Sequence, residues 1–238
     1  MKKALVTGGA QRIGAQIVKT LHKNNYDIII HYNNSADEAS KLADLLNNDR
    51  QNSVTIVQAE LNTRDGIDKL RNSVTRLDLL VNNASIFCST PIGKIDRSTW
   101  SSIMDTNLMS PFFLSQSLAT LLHKSNGCIV NIVDIHSDRP LKDHSVYSIS
   151  KSGIAMMTKS LAKDLAPGVR VCGISPGYIL SPKGSKKIGN EENQANNKIA
   201  LKRHGTVEDI ADTVVFLANS TYITGQIINV DGGRTLNQ

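Results

Sequence analysis

Short apolar runs of strand length alternate along this chain with segments whose apolar residues fall three or four apart, and that recurrence leaves few folds open. Ala4-Leu5-Val6 is followed by a stripe at Ile13, Ile17 and Leu21, and Ile28-Ile29-Ile30 by Leu42, Leu45 and Leu46. The second of these helical segments starts at Ser35-Ala36-Asp37-Glu38, which reads as a capping box. Runs at residues 54–57 and 79–81 come next, then helical stretches over 100–108 and 112–122. A run at 129–133 precedes a helix expected over 151–165, and runs at 169–174 and 227–230 close the series. Unbroken apolar runs suit strands covered on both faces, and strands separated by helices need crossover connections. The expectation is an α/β chain whose sheet has about seven mainly parallel strands with helices on both faces. Ligands of such sheets bind beyond the carboxyl ends of the strands, so the residues directly after each run carry the functional question.

Composition removes several alternatives. The 238 residues are 40% apolar and 20% charged, an ordinary globular balance that excludes a disordered or fibrous chain. The net charge of +6 favours anionic partners, but the basic residues are scattered and lack interleaved aromatics, so nucleic acid is not expected. Cys88, Cys128 and Cys172 have neither paired nor metal-ligand spacing, and the bland reading is reduced core thiols. No metal site is expected. The glycine turn follows Met1 too closely for a leader peptide, and no apolar run spans a membrane, so a cytoplasmic location is expected. Residues 181–197, SPKGSKKIGNEENQANN, break the alternation. They read either as a plain solvated insertion or as part of a substrate lid around 178–204.

Three constellations carry chemistry. The first run leads straight into Thr7-Gly8-Gly9-Ala10-Gln11-Arg12-Ile13-Gly14 and then a helix. A glycine turn serves ordinary loops too, but between strand and helix it is where a pyrophosphate meets a helix N-terminus. After the second run, His31-Tyr32-Asn33-Asn34-Ser35 holds no carboxylate for a ribose 2′-hydroxyl, which favours NADP over NAD. Tyr147 and Lys151 stand one helical turn apart, where the cation is expected to lower the phenol's pKa and make it a usable proton donor. Asp134, 13 residues before Tyr147, reads either as a turn or helix cap or as an acid that helps protonate a C=N bond.

Together these motifs resemble the short-chain dehydrogenases/reductases, from Lys3 to Gly233. Thr7-Gly8…Arg12…Gly14, Asn82-Asn83-Ala84-Ser85, Asn107, Tyr147/Lys151 and Ser175-Pro176-Gly177 stand where that family has its motifs. The resemblance implies a single-domain Rossmann-type doubly wound fold over residues 1–238. Arg12, His31, Ser85, Phe87 and Asp134 are similar to the pteridine reductase and dihydromonapterin reductase branch. On that resemblance the catalytic residues are Asp134, Tyr147, Lys151 and Asn107, the last holding a water of a proton relay. NADP(H) falls to Gly8, Gln11, Arg12, Ile13, His31, Tyr32, Asn33, Asn34, Ser35, Glu60, Leu61, Asn83, Ala84, Ser85, Tyr147, Lys151, Pro176 and Gly177. A pterin falls to Arg12, Ser85, Phe87 (by base rate simply a core aromatic), Asp134, Tyr147 and Tyr178.

The implied reaction is NADPH-dependent reduction of a dihydropterin (dihydromonapterin, dihydrobiopterin or dihydrofolate) to the tetrahydro form, in a cytoplasmic homotetramer. The alternatives are a carbonyl reductase, such as a 3-oxoacyl carrier-protein reductase, and a regulator that senses NADP(H) without turnover. The first calls for a serine at 134 and a glycine at 12, and the second for loss of the Tyr–Lys pair or Asn107. His136 is a surface residue that could touch substrate, and His144 and His204 read as surface residues.

Overall fold

The computed structural model describes residues 1–179 and 196–236. Seven strands form one sheet in the order β3-β2-β1-β4-β5-β6-β7, every neighbouring pair parallel. They are β1 (Lys2–Val6), β2 (Tyr26–Tyr32), β3 (Val54–Gln58), β4 (Leu79–Asn82), β5 (Cys128–Ile132), β6 (Arg170–Pro176) and β7 (Ile227–Val230). The order reverses direction at β1, which pairs with β2 on one side and β4 on the other. The carboxyl ends of β1 and β4 therefore flank the crevice where such sheets take ligands.

Each expected run is a strand; the run at 227–230 coincides with its strand, and the others differ by one or two residues at one or both ends. On β2, Ile28 and Ile30 enter one core and Ile29 the other, so both faces are buried and no polar alternation survives. The first core joins these to Ile17 and Leu21 of α1 (Arg12–Lys23) and to Leu42 and Leu46 of α2 (Ala36–Asp49). The second gathers Leu70 of α3 (Arg64–Asn72), Leu114, Leu118 and Leu122 of α5 (Ser110–Lys124), and Leu161 of α6 (Ser145–Asp164). Fully burying each such side chain contributes about 1.5–3 kcal/mol.

Other helices depart from expectation. α4 (Arg97–Met104) does not run on to α5 as a regular helix; a π-helical turn, Asp105–Met109, separates them and carries Asn107. α6 begins six residues before the helix expected at 151, so Tyr147 and Lys151 both lie within it. The sequence reading did not name α3 or α7 (Val207–Asn219), although each has a local start signal. Thr63 caps α3 by accepting from the Gly66 N–H, and Thr206 with Asp209 forms a full capping box on α7. The box expected at Ser35 is not made: Ser35 makes no side-chain cap, and Glu38 instead accepts a hydrogen bond from Gln11 Nε2. Except for Asn196 and Asn197, the segment 181–197 lies outside the described residues, as does most of the lid expected around 178–204. At its edges Tyr178 packs on His204 with ring centroids 4.3 Å apart, and the Gly205 N–H donates to the Tyr178 carbonyl at 3.0 Å. Among the described residues, no helix is long and apolar enough to cross a membrane, and no group of three His, Cys, Asp or Glu residues could hold a metal. Cys128 and Cys172 are free and buried, in line with the core reading, while Cys88 is partly exposed.

Candidate active site

The glycine turn bends sharply off β1 and delivers the chain into α1. Gly8 takes φ +61°, and a Cβ there would meet Ala84 Cα at 3.1 Å. Gly14 is more restricted: its Cβ would sit 2.2 Å from the Gly8 carbonyl oxygen. Thr7 ties this turn to the end of β4, its Oγ1 accepting the N–H groups of Asn83 and Ala84 at 2.9 and 3.0 Å. Asn83 Nδ2 returns two hydrogen bonds, to the carbonyls of Thr7 and Gly8. The N-cap residue of α1, Gln11, makes no capping bond, and the first turn holds no acidic side chain. A cradle that admits no Cβ, beside a helix N-terminus whose first turn holds no carboxylate, fits a dinucleotide pyrophosphate.

Arg12 opens α1 in the left-handed region, at φ +52°, and its side chain is exposed. A non-glycine residue pays about 1–2 kcal/mol for that conformation. Asn33 and Asn34 are exposed after β2, with Tyr32 and Ser35 half-buried behind them. Glu60 is exposed and Leu61 buried at the end of β3, the Leu61 carbonyl accepting from Ser110 Oγ at 2.7 Å. Ser85 is exposed, Ile13 and Gly177 are half-buried, and Pro176 is buried at the end of β6.

One cofactor assignment is corrected. His31 does not open onto the groove: it is 2% exposed, and both ring nitrogens have partners inside the protein. Any service it performs for a ligand passes through those partners.

The residues expected to be catalytic lie close together. Tyr147, buried on α6, donates its phenolic proton to Asp134 Oδ2 at 2.6 Å. Asp134 Oδ1 accepts from the His136 N–H at 2.8 Å, capping the short turn Ile135–Ser137. The cap reading of Asp134 is thus realised through one oxygen, and the cap orients the other oxygen on the phenol. Lys151 is fully enclosed, and its Nζ donates to the Ile132 carbonyl at 2.9 Å. Burial lowers its pKa to about 8, with the Asp134 charge pulling the other way.

The expected lowering of the Tyr147 pKa is reversed. Burial, then the Asp134 charge and hydrogen bond, push it well above the usual phenol value. A carboxylate on the hydroxyl penalises the phenolate more directly than Lys151 Nζ, 5.7 Å from the ring centroid, can favour it.

Asn107 is buried on the π-helical turn. Its Oδ1 accepts from the Ile86 N–H at 2.7 Å, and its Nδ2 donates to the Ile86 carbonyl and to Ser150 Oγ. With both amide hydrogens engaged, the side chain clamps the loop after β4 to α6. Ser150 Oγ then donates to the Tyr147 carbonyl at 2.7 Å, so the clamp reaches the catalytic residue's backbone.

Phe87 is 45% exposed, with His144 stacked on one face at 4.7 Å and 16° and Tyr147 at its edge at 4.8 Å. The structure thus brings Phe87, Asp134, Tyr147 and Lys151 together. His144, Thr7 and Ser150 were missed as site residues. Thr7 had a signal in its glycine turn; His144 and Ser150 had none, because their partners are distant in sequence or lie on other elements.

A family model described as enoyl-(acyl carrier protein) reductase matches residues 8–235. Pteridine reductase 1 of Leishmania tarentolae is 32% identical over 278 aligned positions, covering 98% of this chain and 96% of that protein. The 3-oxoacyl-acyl-carrier-protein reductase FabG of Staphylococcus epidermidis is also 32% identical, over 240 positions and 98% of both chains. A crystal structure from Sinorhizobium meliloti, described as a short-chain alcohol dehydrogenase, superposes with a TM-score of 0.92 at 27% identity, covering 100% of this chain and 97% of that one.

Proposed function

The chain belongs to the short-chain dehydrogenase/reductase family and is an oxidoreductase; from that premise we propose that it uses NADPH to reduce a dihydropterin to its tetrahydro form. The observation that carries this reading is the 2.6 Å hydrogen bond from the Tyr147 hydroxyl to Asp134. Reducing C=N requires a hydride on carbon and a proton on nitrogen. A phenol held protonated by a neighbouring carboxylate suits proton delivery to a nitrogen that is itself basic. When bound, NADPH supplies the hydride. Tyr147 holds the proton at its hydroxyl oxygen, Asp134 aims it, and Lys151 holds the nicotinamide ribose. The part-exposed Phe87 offers an aromatic surface to a flat heteroaromatic ring, and the exposed Arg12 lies on the glycine turn.

NADP over NAD is supported by the absence of a carboxylate at Asn33 and Asn34 and by a Ser35 hydroxyl that does not cap α2. The reading extends to a single-domain cytoplasmic enzyme assembled as a homotetramer. Exposed Trp100, Phe112, Phe113, Ile149 and Met156 on α4, α5 and α6 support the assembly. Reduction of a 3-oxoacyl thioester is the second reading, favoured by the FabG relative at the same identity as the pteridine reductase.

The test follows NADPH oxidation with dihydromonapterin, dihydrobiopterin, dihydrofolate and a 3-oxoacyl thioester in parallel, each repeated with NADH. Pterin turnover well above that of the thioester upholds the proposal. Thioester turnover without pterin turnover assigns Asp134 and Arg12 to some other purpose and overturns it.

A further inference from the structure

His31 occupies an unusual post for an imidazole. It lies at the carboxyl end of β2, beside the predicted site for the cofactor ribose, yet it is buried. Its Nδ1 accepts from the Gly8 N–H at 3.2 Å, and its Nε2 faces the Ala59 carbonyl at 3.0 Å. A backbone N–H can only donate and a carbonyl can only accept, so these partners select the neutral tautomer with hydrogen on Nε2. Burial lowers its pKa, which keeps that neutral form at pH 7; no charged side chain contributes to the shift. The backbone of the same residue makes a third tie, its carbonyl accepting from the Gly9 N–H at 3.0 Å.

The two residues that the ring joins belong to different parts of the dinucleotide groove. Gly8 is the apex of the turn at the N-terminus of α1, already held on its carbonyl side by Asn83 and against Ala84. Ala59 immediately precedes Glu60 and Leu61, the pair after β3 that the family resemblance assigns to the dinucleotide. One imidazole therefore sets the spacing between the glycine turn and the segment after β3, across the ends of three adjacent strands.

We infer that His31 is a positioning residue that controls dinucleotide affinity through Gly8 and Ala59 without touching the dinucleotide or the reacting atoms. The inference rests on the cofactor part of the proposed function, though not on its choice of substrate or of NADPH over NADH. The pyrophosphate and adenine are common to both cofactors.

The experiment measures NADPH and NADH dissociation constants by fluorescence, together with kcat at saturating cofactor, for the wild type, His31→Leu and His31→Gln. Leucine fills the space but leaves the Gly8 N–H and the Ala59 carbonyl buried without partners, and glutamine has an oxygen and an N–H that can replace both bonds. Expected for His31→Leu is dinucleotide binding weakened roughly tenfold or more, with kcat at saturation within about twofold of wild type. His31→Gln recovers most of the affinity. Folded His31→Leu with unchanged affinity overturns the inference, as does a kcat that falls in step with affinity. If His31→Leu does not fold, His31→Gln decides: affinity close to wild type upholds the brace, and affinity lost in a folded protein overturns it. A wild type that binds NADH better than NADPH removes the NADP preference but leaves the brace to be read with NADH. A wild type that binds neither removes both.

Discussion

At the scale of single residues, the chemistry turns on how Asp134, Tyr147 and Lys151 perturb one another. Tyr147→Phe removes the proton donor and keeps the ring, so turnover should fall by about 10²–10⁴ while NADPH affinity stays near wild type. Steady-state kinetics with a binding titration checks both halves, and turnover at the native rate would place the proton elsewhere. Lys151, lowered to about 8, is cationic below that pH and neutral above it. kcat/KM, which reports the free enzyme, should therefore decline as pH rises through about 8, and Lys151→Arg should remove that limb whatever its absolute rate. The stability linkage has the opposite slope. Between about 8 and 10.5 the unfolded chain binds a proton that the folded chain has released, so the cost of burying Lys151 shrinks as pH rises through that window. Spacing alone brought Tyr147 and Lys151 together in sequence. It could not give the sign of the phenol's shift, which depends on a carboxylate from a different element lying closer than the ammonium.

At the scale of elements, the glycine turn, the π-helical turn and α6 hold the site, and their legibility differs. The turn was readable because glycine-rich sequence between strand and helix has one geometric use here. Gly14, with its Cβ position 2.2 Å from the Gly8 oxygen, leaves no room for a side chain. Arg12 runs against that economy, since φ +52° suits glycine better. Arg12→Gly should raise thermal stability by about 1 kcal/mol and weaken pterin binding, measured by calorimetry and by the pterin KM. A variant no more stable than wild type would mean that the arginine side chain repays its backbone strain through folded-state contacts. The π-helical turn could not be read from periodicity, because Asn107 is held by Ile86 and Ser150, contacts that exist only after β4 and α6 have assembled. α6 was expected too late for a simpler reason: the serines at 145, 148 and 150 interrupt the apolar spacing of its first turns, although Val146, Tyr147, Ser148 and Ser150 are all buried.

At the scale of the whole molecule, the parallel sheet accounts for the position of everything else. All its strands end on one side, so turns far apart in sequence converge at the reversal beside β1. In the proposed tetramer, the apolar residues exposed on α4, α5 and α6 would be covered by other copies of the chain. Light scattering at micromolar concentration should give the mass of four chains, and replacing Phe113 and Met156 together by arginine should give a smaller species. A wild-type monomer would defeat that expectation. The sequence by itself determined the sheet, its helical covering and the glycine turn, because strand and helix periodicity and glycine sterics act over a few residues at a time. Only the tertiary structure decided that His31 is buried between Gly8 and Ala59, that His144 stacks on Phe87, and that Asp134 raises the Tyr147 pKa against Lys151. Each depends on burial and on a partner from another element, and both come into being only when the sheet closes.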